Sequence, residues 1–457
     1  MQKRRKRNMP AWLLASGMLP LCAQGAAPPA PFRPFVEVGF EERIRMEEWT
    51  NANDWNAQVD DGRLHYRFRS RLWAQFDPAE DLEIMAGIAQ ENRKIVHPDI
   101  PAAPAVREVF VETLYVDYRF SPAWSARLGR QNIQRGEGFI LVDPSPADGS
   151  RSAYYNALDV TWNLALGHKL ECMAISDPGR EKYLPSIDDP SRISDAQRLI
   201  EWDERALGLY YTGSLPSGAT LEGYGFFKTE TNDYRPPSLN PARYQPDRRL
   251  YTLGARAIRE NRQGWTFSGE FALQQGKQDP NPLVPNDERH DISAWAGYAR
   301  AKKAFAVPWN PSLSLAYIAM SGDDPKTSKL EGWDPIFSRS PKYSELFLYA
   351  LVPEKGPSYW SNLGMWELEA RCSPLPILDL RASYYHMDAL ESPPAGSIYG
   401  GGKNRGNLVE FRADLKLADG FKAHAVVEHC APGTFYAGKD AGYFLRFEVS
   451  YLFKQRW

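Results

Sequence analysis

The sequence lacks a long apolar run beyond its N-terminus: no stretch approaches the roughly 20 residues that a membrane-spanning helix needs. Its mean hydropathy is −0.51, and charged residues make up 25% of the chain. Together these observations exclude a helical membrane protein. Intrinsic disorder is excluded as well, because 43% of the residues are hydrophobic and 13% are aromatic. The classes that remain are a compact soluble enzyme and a transmembrane β-barrel, whose strands are apolar on one face only.

Cysteine is also scarce, with 4 in 457 residues. Cys172, Cys372 and Cys430 are far apart, and no CxxC pair, zinc-type spacing or disulfide framework is visible. We interpret these three residues as isolated thiols. The sequence contains no signal for a cofactor, and we predict none.

The first 26 residues have the layout of a secretory signal peptide. Residues 3–7 are all basic, residues 11–22 form an apolar run, and small residues follow before Pro28. We expect cleavage near Gly25 or Ala26. Loss of five of the 55 Lys and Arg residues moves the formal net charge from −2 to −7, which argues against a nucleic-acid partner. Residues 27–457 show no dividing linker and are predicted to form a single domain.

Apolar and polar residues alternate with a period of two, whereas the 3.6-residue period of helices is almost absent. In Gly62–Asp77, Phe68 and Leu72 share one face, and Arg67 and Arg69 share the other. The same alternation recurs at 265–274, 378–385 and 409–417. Such segments are long enough to cross a bilayer as tilted strands, and we count about 18 of them, or 16 if two are misjudged. The predicted fold is all-β: a transmembrane antiparallel β-barrel.

Short and long connections alternate along the chain. Tight turns are predicted at 77–81, 121–123, 214–219, 260–264, 373–376 and 418–421. Long polar or Pro- and Gly-rich loops are predicted at 50–61, 94–105, 177–201, 230–248, 278–290, 322–358 and 391–405. Outer-membrane barrels place their short turns in the periplasm and their long loops outside, so this segregation favours such a barrel over a soluble sandwich. The longest loop, 322–358, can plug or gate the pore.

The last segment predicts a closing strand with an apolar, aromatic outer face. Tyr443, Phe447, Val449 and Trp457 share one parity, and Arg446 lies on the other. This pattern resembles the C-terminal signal that the outer-membrane barrel insertion machinery reads. We therefore expect that machinery to be a partner and the outer-membrane lipid to surround the apolar face.

Two sets of short segments carry a family resemblance. The first comprises LGRQNIQRGEGFILVD (128–143), DGSR (148–151) and YNA (155–157); the second comprises SGDDPKT (321–327), WDPIF (333–337) and YSE (343–345). In order and spacing they resemble the alginate export family of outer-membrane barrels, and the second set is similar to that family's long loop after the thirteenth strand. The resemblance implies an 18-stranded barrel that passes an anionic exopolysaccharide passively outward, assisted by a periplasmic scaffold lipoprotein with tetratricopeptide repeats. We expect the barrel to be monomeric and to lie in the outer membrane of a Gram-negative-type bacterium.

The polar strand faces carry both signs of charge, whereas a polyuronate exporter is expected to have a strongly basic lumen. The cargo can therefore be a polysaccharide other than alginate. The candidate residues of the substrate path are Arg67, Arg69, Arg71, Arg127, Arg130, Arg256, Arg381, Arg412, Glu367, Glu369, Asp379 and Glu410. The first three lie on one face within about 14 Å and repel each other unless carboxylates or a ligand compensate. They are either part of the path or rungs of a wall-filling ladder of salt bridges.

Catalysis and metal binding have little support in the sequence. No G-x-S-x-G motif occurs, and none of the seven histidines lies in a hydrolase motif, so we predict no enzyme. Asp323 and Asp324 are weak candidates for a loop calcium site, with a solvated acidic loop as the simpler interpretation. Two hypotheses with opposite directions of flow remain. One is the exporter of an anionic, uronate-containing polysaccharide; the other is an uptake porin for oligosaccharides or other small solutes.

Overall fold

The computed structural model describes residues 32–98, 109–143, 155–187, 200, 202–232, 245–356, 358–393 and 396–457. The predicted signal peptide and the DGSR segment at 148–151 lie outside these residues. Pro34–Trp457 form one compact unit. Among the described residues, helix is limited to one short turn, α1 at Phe347–Ala350, which lacks the length and apolar character of a membrane span.

Long strands dominate the chain because β-branched and aromatic residues alternate with polar ones. They are β1 Phe35–Thr50, β2 Arg63–Ala79, β3 Leu82–His97, β4 Val109–Arg119, β5 Trp124–Gln131, β6 Tyr155–Ala165, β7 His168–Asp177, β8 Ser186–Ile187, β9 Asp203–Ser214, β10 Ala219–Thr231, β11 Arg248–Glu260, β12 Trp265–Gln278, β13 His290–Ala304, β14 Ser312–Met320, β15 Leu363–Leu375, β16 Leu378–Asp388, β17 Asn404–Ala418, β18 Phe421–Pro432 and β19 Gly442–Arg456, with α1 at Phe347–Ala350.

The strands form a closed antiparallel barrel. Each long strand pairs with its neighbours in sequence, and β19 pairs with β1 from Glu37↔Arg456 to Thr50↔Tyr443. The two-residue strand β8 pairs only with the start of β4, so 18 strands make up the wall. Closure leaves no edge whose backbone groups would be unpaired in lipid. The predicted 18-stranded barrel is confirmed.

The two ends of the barrel differ in the length of their connections. Eight turns of two to seven residues join strands at one end, and they include all six predicted tight turns. The loops at the other end have nine residues or more, and the longest joins β14 to β15 through residues 321–362. We call this segment the long loop, and we call residues 132–143 after β5 the short inner loop.

The side-chain alternation places apolar residues outside and charged residues inside. On β2, Phe68 and Leu72 are exposed on the outer wall, whereas Arg67 and Arg69 are buried inside. Val449 on β19 also lies on the outer wall. A one-residue slip of register would put arginines against lipid, so the register is strongly fixed.

The main apolar core lies inside the barrel, where the two inner loops pack against the wall. Trp333, Ile336 and Phe347 of the long loop are buried beside Phe139 of the short inner loop. Wall residues such as Tyr298 complete the cluster. The barrel is thus partly filled by its own loops, one of which is the long loop for which a plugging or gating role is predicted.

Candidate channel lumen

The arginines of β1, β2 and β3 form a row across the wall rather than a ladder along one strand. Arg45, Arg67 and Arg93 are directly opposed cross-strand partners. We call them the buried triad, because Arg45 has no exposed surface, the side chain of Arg67 is only 8% exposed, and Arg93 is half-buried. Like charges at opposed positions destabilise a sheet unless they are compensated.

Three carboxylates compensate Arg45 and Arg67 of the buried triad. Glu47 lies 3.5 Å from Arg45 and 3.2 Å from Arg67. Glu91 accepts a hydrogen bond from Arg67 at 3.1 Å, and Glu448 accepts one from Arg45 at 2.6 Å. All of these groups face the interior with little exposure. The arrangement is a charge-balanced, packed part of the wall.

The other two arginines of the predicted β2 cluster are also paired. Arg69 donates to Glu41 at 2.7 Å. Arg71 forms an ion pair with Glu112 and lies 3.7 Å from Glu41. Neighbouring carboxylates therefore compensate every member of the cluster, which is the arrangement expected of wall-filling salt bridges.

A second row of three arginines lies on β15, β16 and β17, and it is solvated. Arg371, Arg381 and Arg412 are directly opposed cross-strand partners. Their side chains are 49%, 30% and 28% exposed to the interior water. We call them the solvated triad. Arg381 and Arg412 were among the predicted path residues, and Arg371 was missed because only the strand register brings it into line.

Each arginine of the solvated triad has one carboxylate partner. Glu369 accepts two hydrogen bonds from Arg371, at 2.6 and 2.8 Å. Glu410 pairs with Arg381. The Nε of Arg381 is buried and has no hydrogen-bond partner among the residues that the structure describes. Asp414 accepts from Arg412 at 2.6 Å. The remaining guanidinium surface faces water and can meet a passing anion.

The other predicted path residues that face the lumen lie outside the two triads. Arg127 pairs with Asp117 at 2.7 Å, and Arg256 pairs with Glu222 at 3.1 Å. Glu367 accepts a hydrogen bond from Arg300 at 2.9 Å. Asp379 accepts one from Ser373 at 2.6 Å.

Arg130 does not line the lumen, which corrects the sequence-based assignment. It is the cross-strand partner of Leu114, which faces outward, whereas its neighbour Gln131 faces inward. Residues three apart on a regular strand point to opposite faces, so Arg127 and Arg130 cannot both face the interior. The guanidinium of Arg130 instead binds both carboxylate oxygens of Glu181, in the connection after β7, at 2.8 and 2.9 Å.

The tip of the long loop is fixed to the wall by a buried ion cluster. Lys228 donates to the carbonyl of Ile336 at 3.1 Å and pairs with Glu230 at 2.7 Å. Arg248 pairs with Asp334 at 2.7 Å. Because these groups are removed from water, each depends strongly on its partner.

A second set of contacts fixes the long loop beside α1. Glu428 of β18 accepts hydrogen bonds from the backbone N–H groups of Glu345 and Leu346, at 2.8 and 3.0 Å. Arg446 of β19 pairs with Glu345 at 2.6 Å and with Glu47 of the buried triad's network. The buried arginine network is therefore directly connected to the loop inside the barrel.

The short inner loop packs against the long loop and joins it to the opposite wall. Glu137 pairs with Arg300 at 2.6 Å, and its carbonyl accepts from Lys342 at 2.9 Å. Burial would raise the pKa of Glu137, but Arg300, Lys342 and Arg256 lower it. Burial lowers the pKa of Lys342 to about 8. Gly138 has a φ of +69°, and a Cβ there would lie 2.9 Å from Val142, so this turn requires glycine.

The weak calcium candidates have other roles in the loop. Asp323 accepts a hydrogen bond from the backbone N–H of Glu331 at 2.7 Å, and Asp324 accepts one from that of Lys326 at 3.0 Å. Within the described ranges, no group of three or more His, Cys, Asp or Glu residues is arranged to hold a metal ion.

Comparison with known proteins identifies the family. The family model described as alginate export matches residues 204–436, just over half of the chain. The chain belongs to the alginate export family. No curated protein sequence matches it. The matched segment of this alginate export family member contains the long loop and the solvated triad, whereas the buried triad lies before it.

Solved outer-membrane barrels from Pseudomonas aeruginosa share the fold at low sequence identity. OccK5 (OpdH) is 11% identical with a TM-score of 0.57, covering 92% of this chain and 98% of that one. OccK2 (OpdF) in complex with glucuronate is 12% identical with a TM-score of 0.54 and the same coverage. OpdK with vanillate is 12% identical with a TM-score of 0.53, covering 92% and 99%. This alginate export family member is therefore an outer-membrane channel in family and fold.

Proposed function

We propose that this channel passively exports a uronate-containing polysaccharide and that the solvated triad is part of its path. The observation that carries the proposal is the row of three water-exposed guanidinium groups, each with one carboxylate partner. Guanidinium keeps its charge across the physiological pH range and binds carboxylates through two parallel hydrogen bonds. A sugar carboxylate can take the place of the wall's own carboxylate and then pass to the next arginine.

Weak, repeated contacts suit a polymer better than one tight site. Throughput requires that each uronate leave as readily as it enters, so the cation must be partly neutralised. Glu369, Glu410 and Asp414 supply that neutralisation. The mixed charge of the lumen supports a path for an anionic polymer in which no single position traps it.

The long loop is the gate in this proposal. Its buried contacts with β10, β11, β18 and β19 hold it inside the barrel. A polymer of sugar rings needs a wider passage than a small ion does, so part of the loop must move for export. We further propose that a periplasmic scaffold lipoprotein delivers the polymer to the short-turn end.

A second candidate function is the uptake of a small carboxylated solute. The structures of two fold relatives contain such solutes, glucuronate in OccK2 and vanillate in OpdK. The packing of two loops inside the barrel favours this alternative, because a narrow lumen suits small solutes.

Reconstituted channels can separate the two functions. We would measure the conductance of wild-type protein and of a variant with the long loop shortened, with oligouronates of increasing length added from the short-turn side. Export predicts that long oligomers enter and transiently block the shortened variant, and that triple replacement of Arg371, Arg381 and Arg412 by Gln weakens this block. Uptake predicts that only monomers and dimers interact. If no uronate of any length alters the current, the proposal is wrong.

The matched control is Arg249→Gln. Arg249 lies on the outer face of β11 and is exposed, so its loss leaves the lumen unchanged.

A strain lacking the gene should retain polymer in the periplasm if the channel exports it.

A further inference from the structure

The outer wall carries an apolar groove near the short-turn end of the barrel. Ala257, Gly269 and Ala299 are directly opposed on β11, β12 and β13, and all face outward. Phe267 and Tyr317 stand beside them as larger side chains. The groove encloses about 530 Å³. The side chains that line this groove lose van der Waals contact with the surrounding lipid unless one molecule fills the groove.

Two cations lie at the lower end of the groove. Arg259 is the cross-strand partner of Phe267, one residue from the end of β11. Lys303 lies opposite Trp265, one row nearer the short turns. Lys303 donates to the carbonyl of Gln263 in the adjacent turn and lies 5.4 Å from the Trp265 ring. Among the residues that the structure describes, no carboxylate forms an ion pair with either cation.

The geometry points to an anionic phospholipid as the occupant: one acyl chain in the groove and the phosphate at Arg259 and Lys303. The short turns face the periplasm, so both cations lie at the level of the periplasmic leaflet's headgroups. Two residues of strand, about 7 Å, separate the row of Arg259 from the row of Ala257, so the groove begins next to the cations and can take the first part of one acyl chain. Each basic residue near an anionic headgroup favours the bound state.

The charge of the site argues against a second copy of the chain as the occupant. Two barrels in one membrane insert with the same orientation, so a two-fold interface here would bring the cations of both copies to the same height. Four positive charges would then face each other in a medium that screens them poorly. A phosphate neutralises them instead.

The test is the binding of phosphatidylglycerol and phosphatidylcholine to the full-length barrel by native mass spectrometry. We expect the wild type to retain one phosphatidylglycerol in preference to phosphatidylcholine. The double variant Arg259→Gln/Lys303→Gln should lose that preference, by roughly fivefold for each cation removed. The variant Ala257→Leu/Ala299→Leu, which fills the groove, should lose binding of both lipids.

Arg249→Gln is the matched control, since Arg249 lies on the same face of β11 at the opposite end. It should bind phosphatidylglycerol as the wild type does. Heat-modifiable migration on gels establishes that each variant is folded. The proposal would be overturned if the Arg259→Gln/Lys303→Gln variant bound phosphatidylglycerol as well as the wild type does. It would also be overturned if the wild type were a dimer and the Ala257→Leu/Ala299→Leu variant a monomer, because a second copy would then occupy the groove.

Discussion

The two arginine triads have the same arrangement in the sheet but different surroundings. In both, three arginines are directly opposed on adjacent strands, and carboxylates are their partners. The buried triad shares its carboxylates with further arginines, and one of these, Arg446, also pairs with the long loop. Each arginine of the solvated triad has its own partner and an open face. The comparison teaches that an interior arginine reveals its role through its solvation and its number of partners.

The largest expected effect compares the carboxylates of the two regions. Glu47→Gln leaves Arg45, Arg67 and Arg446 short of a shared buried partner, and should lower the free energy of unfolding by about 3–5 kcal/mol. Glu369→Gln removes the partner of the exposed Arg371 and should cost less than about 1 kcal/mol. Urea unfolding of both variants in lipid vesicles measures the difference. Equal losses would show that burial does not distinguish the two regions.

Charge reversal of the solvated triad should change transport more than stability. Replacement of Arg371, Arg381 and Arg412 by Glu changes this row from +3 to −3 and should shift the reversal potential toward cation selectivity. The corresponding Gln triple variant should give a smaller shift in the same direction and serves as the milder test if the first folds poorly. Folded Glu protein with wild-type selectivity would remove these arginines from the path.

The connection between the buried network and the long loop provides a sharper test. Glu345→Ala removes the ion pair with Arg446 but leaves Glu47 as that arginine's partner. We expect a loss of about 1–2 kcal/mol in stability, together with more frequent and larger openings in single-channel records. Arg249→Gln is the control, since Arg249 lies on the outer face of β11 and away from this connection. An unchanged record would mean that the loop is held by its other contacts alone.

The ion pair between Arg130 and Glu181 lies outside both triads and should respond to pH. Burial would raise the pKa of Glu181, but the hydrogen bonds from Arg130 and from the backbone N–H of Leu184 lower it to about 2. A carboxylate with a lowered folded pKa adds stability above its unfolded pKa of 4.5, and that stability is lost as the pH falls toward 2.

Pepsin cleavage near Tyr183, which is exposed, measures this smallest effect. Cleavage of the folded barrel should increase between pH 4.5 and pH 2 beyond the enzyme's own pH dependence. Glu181→Gln protein, which has no carboxylate to protonate, corrects for that dependence. An equal pH response of both proteins would contradict the prediction.

Strand-level features could be predicted because they depend on local alternation. The outward position of Phe68 and Val449 and the inward position of Arg67 both follow from the period of two. The predicted lumenal position of Arg130 is wrong because Arg127 and Arg130 are three residues apart on one strand and so point to opposite faces. The inward folding of the short inner loop left no periodic signal, although its glycines at 136 and 138 mark the tight turn.

The sequence by itself determined the barrel, its parity and the segregation of short turns from long loops, because each depends on residues near each other in the chain. The tertiary structure alone decided which arginines are opposed, which are buried and which are solvated. Those properties depend on the register between strands such as β15 and β16 and on the place where the long loop packs inside the barrel. Residues that are distant in the chain determine how much water and which partners surround a charge, and these determine its electrostatic free energy.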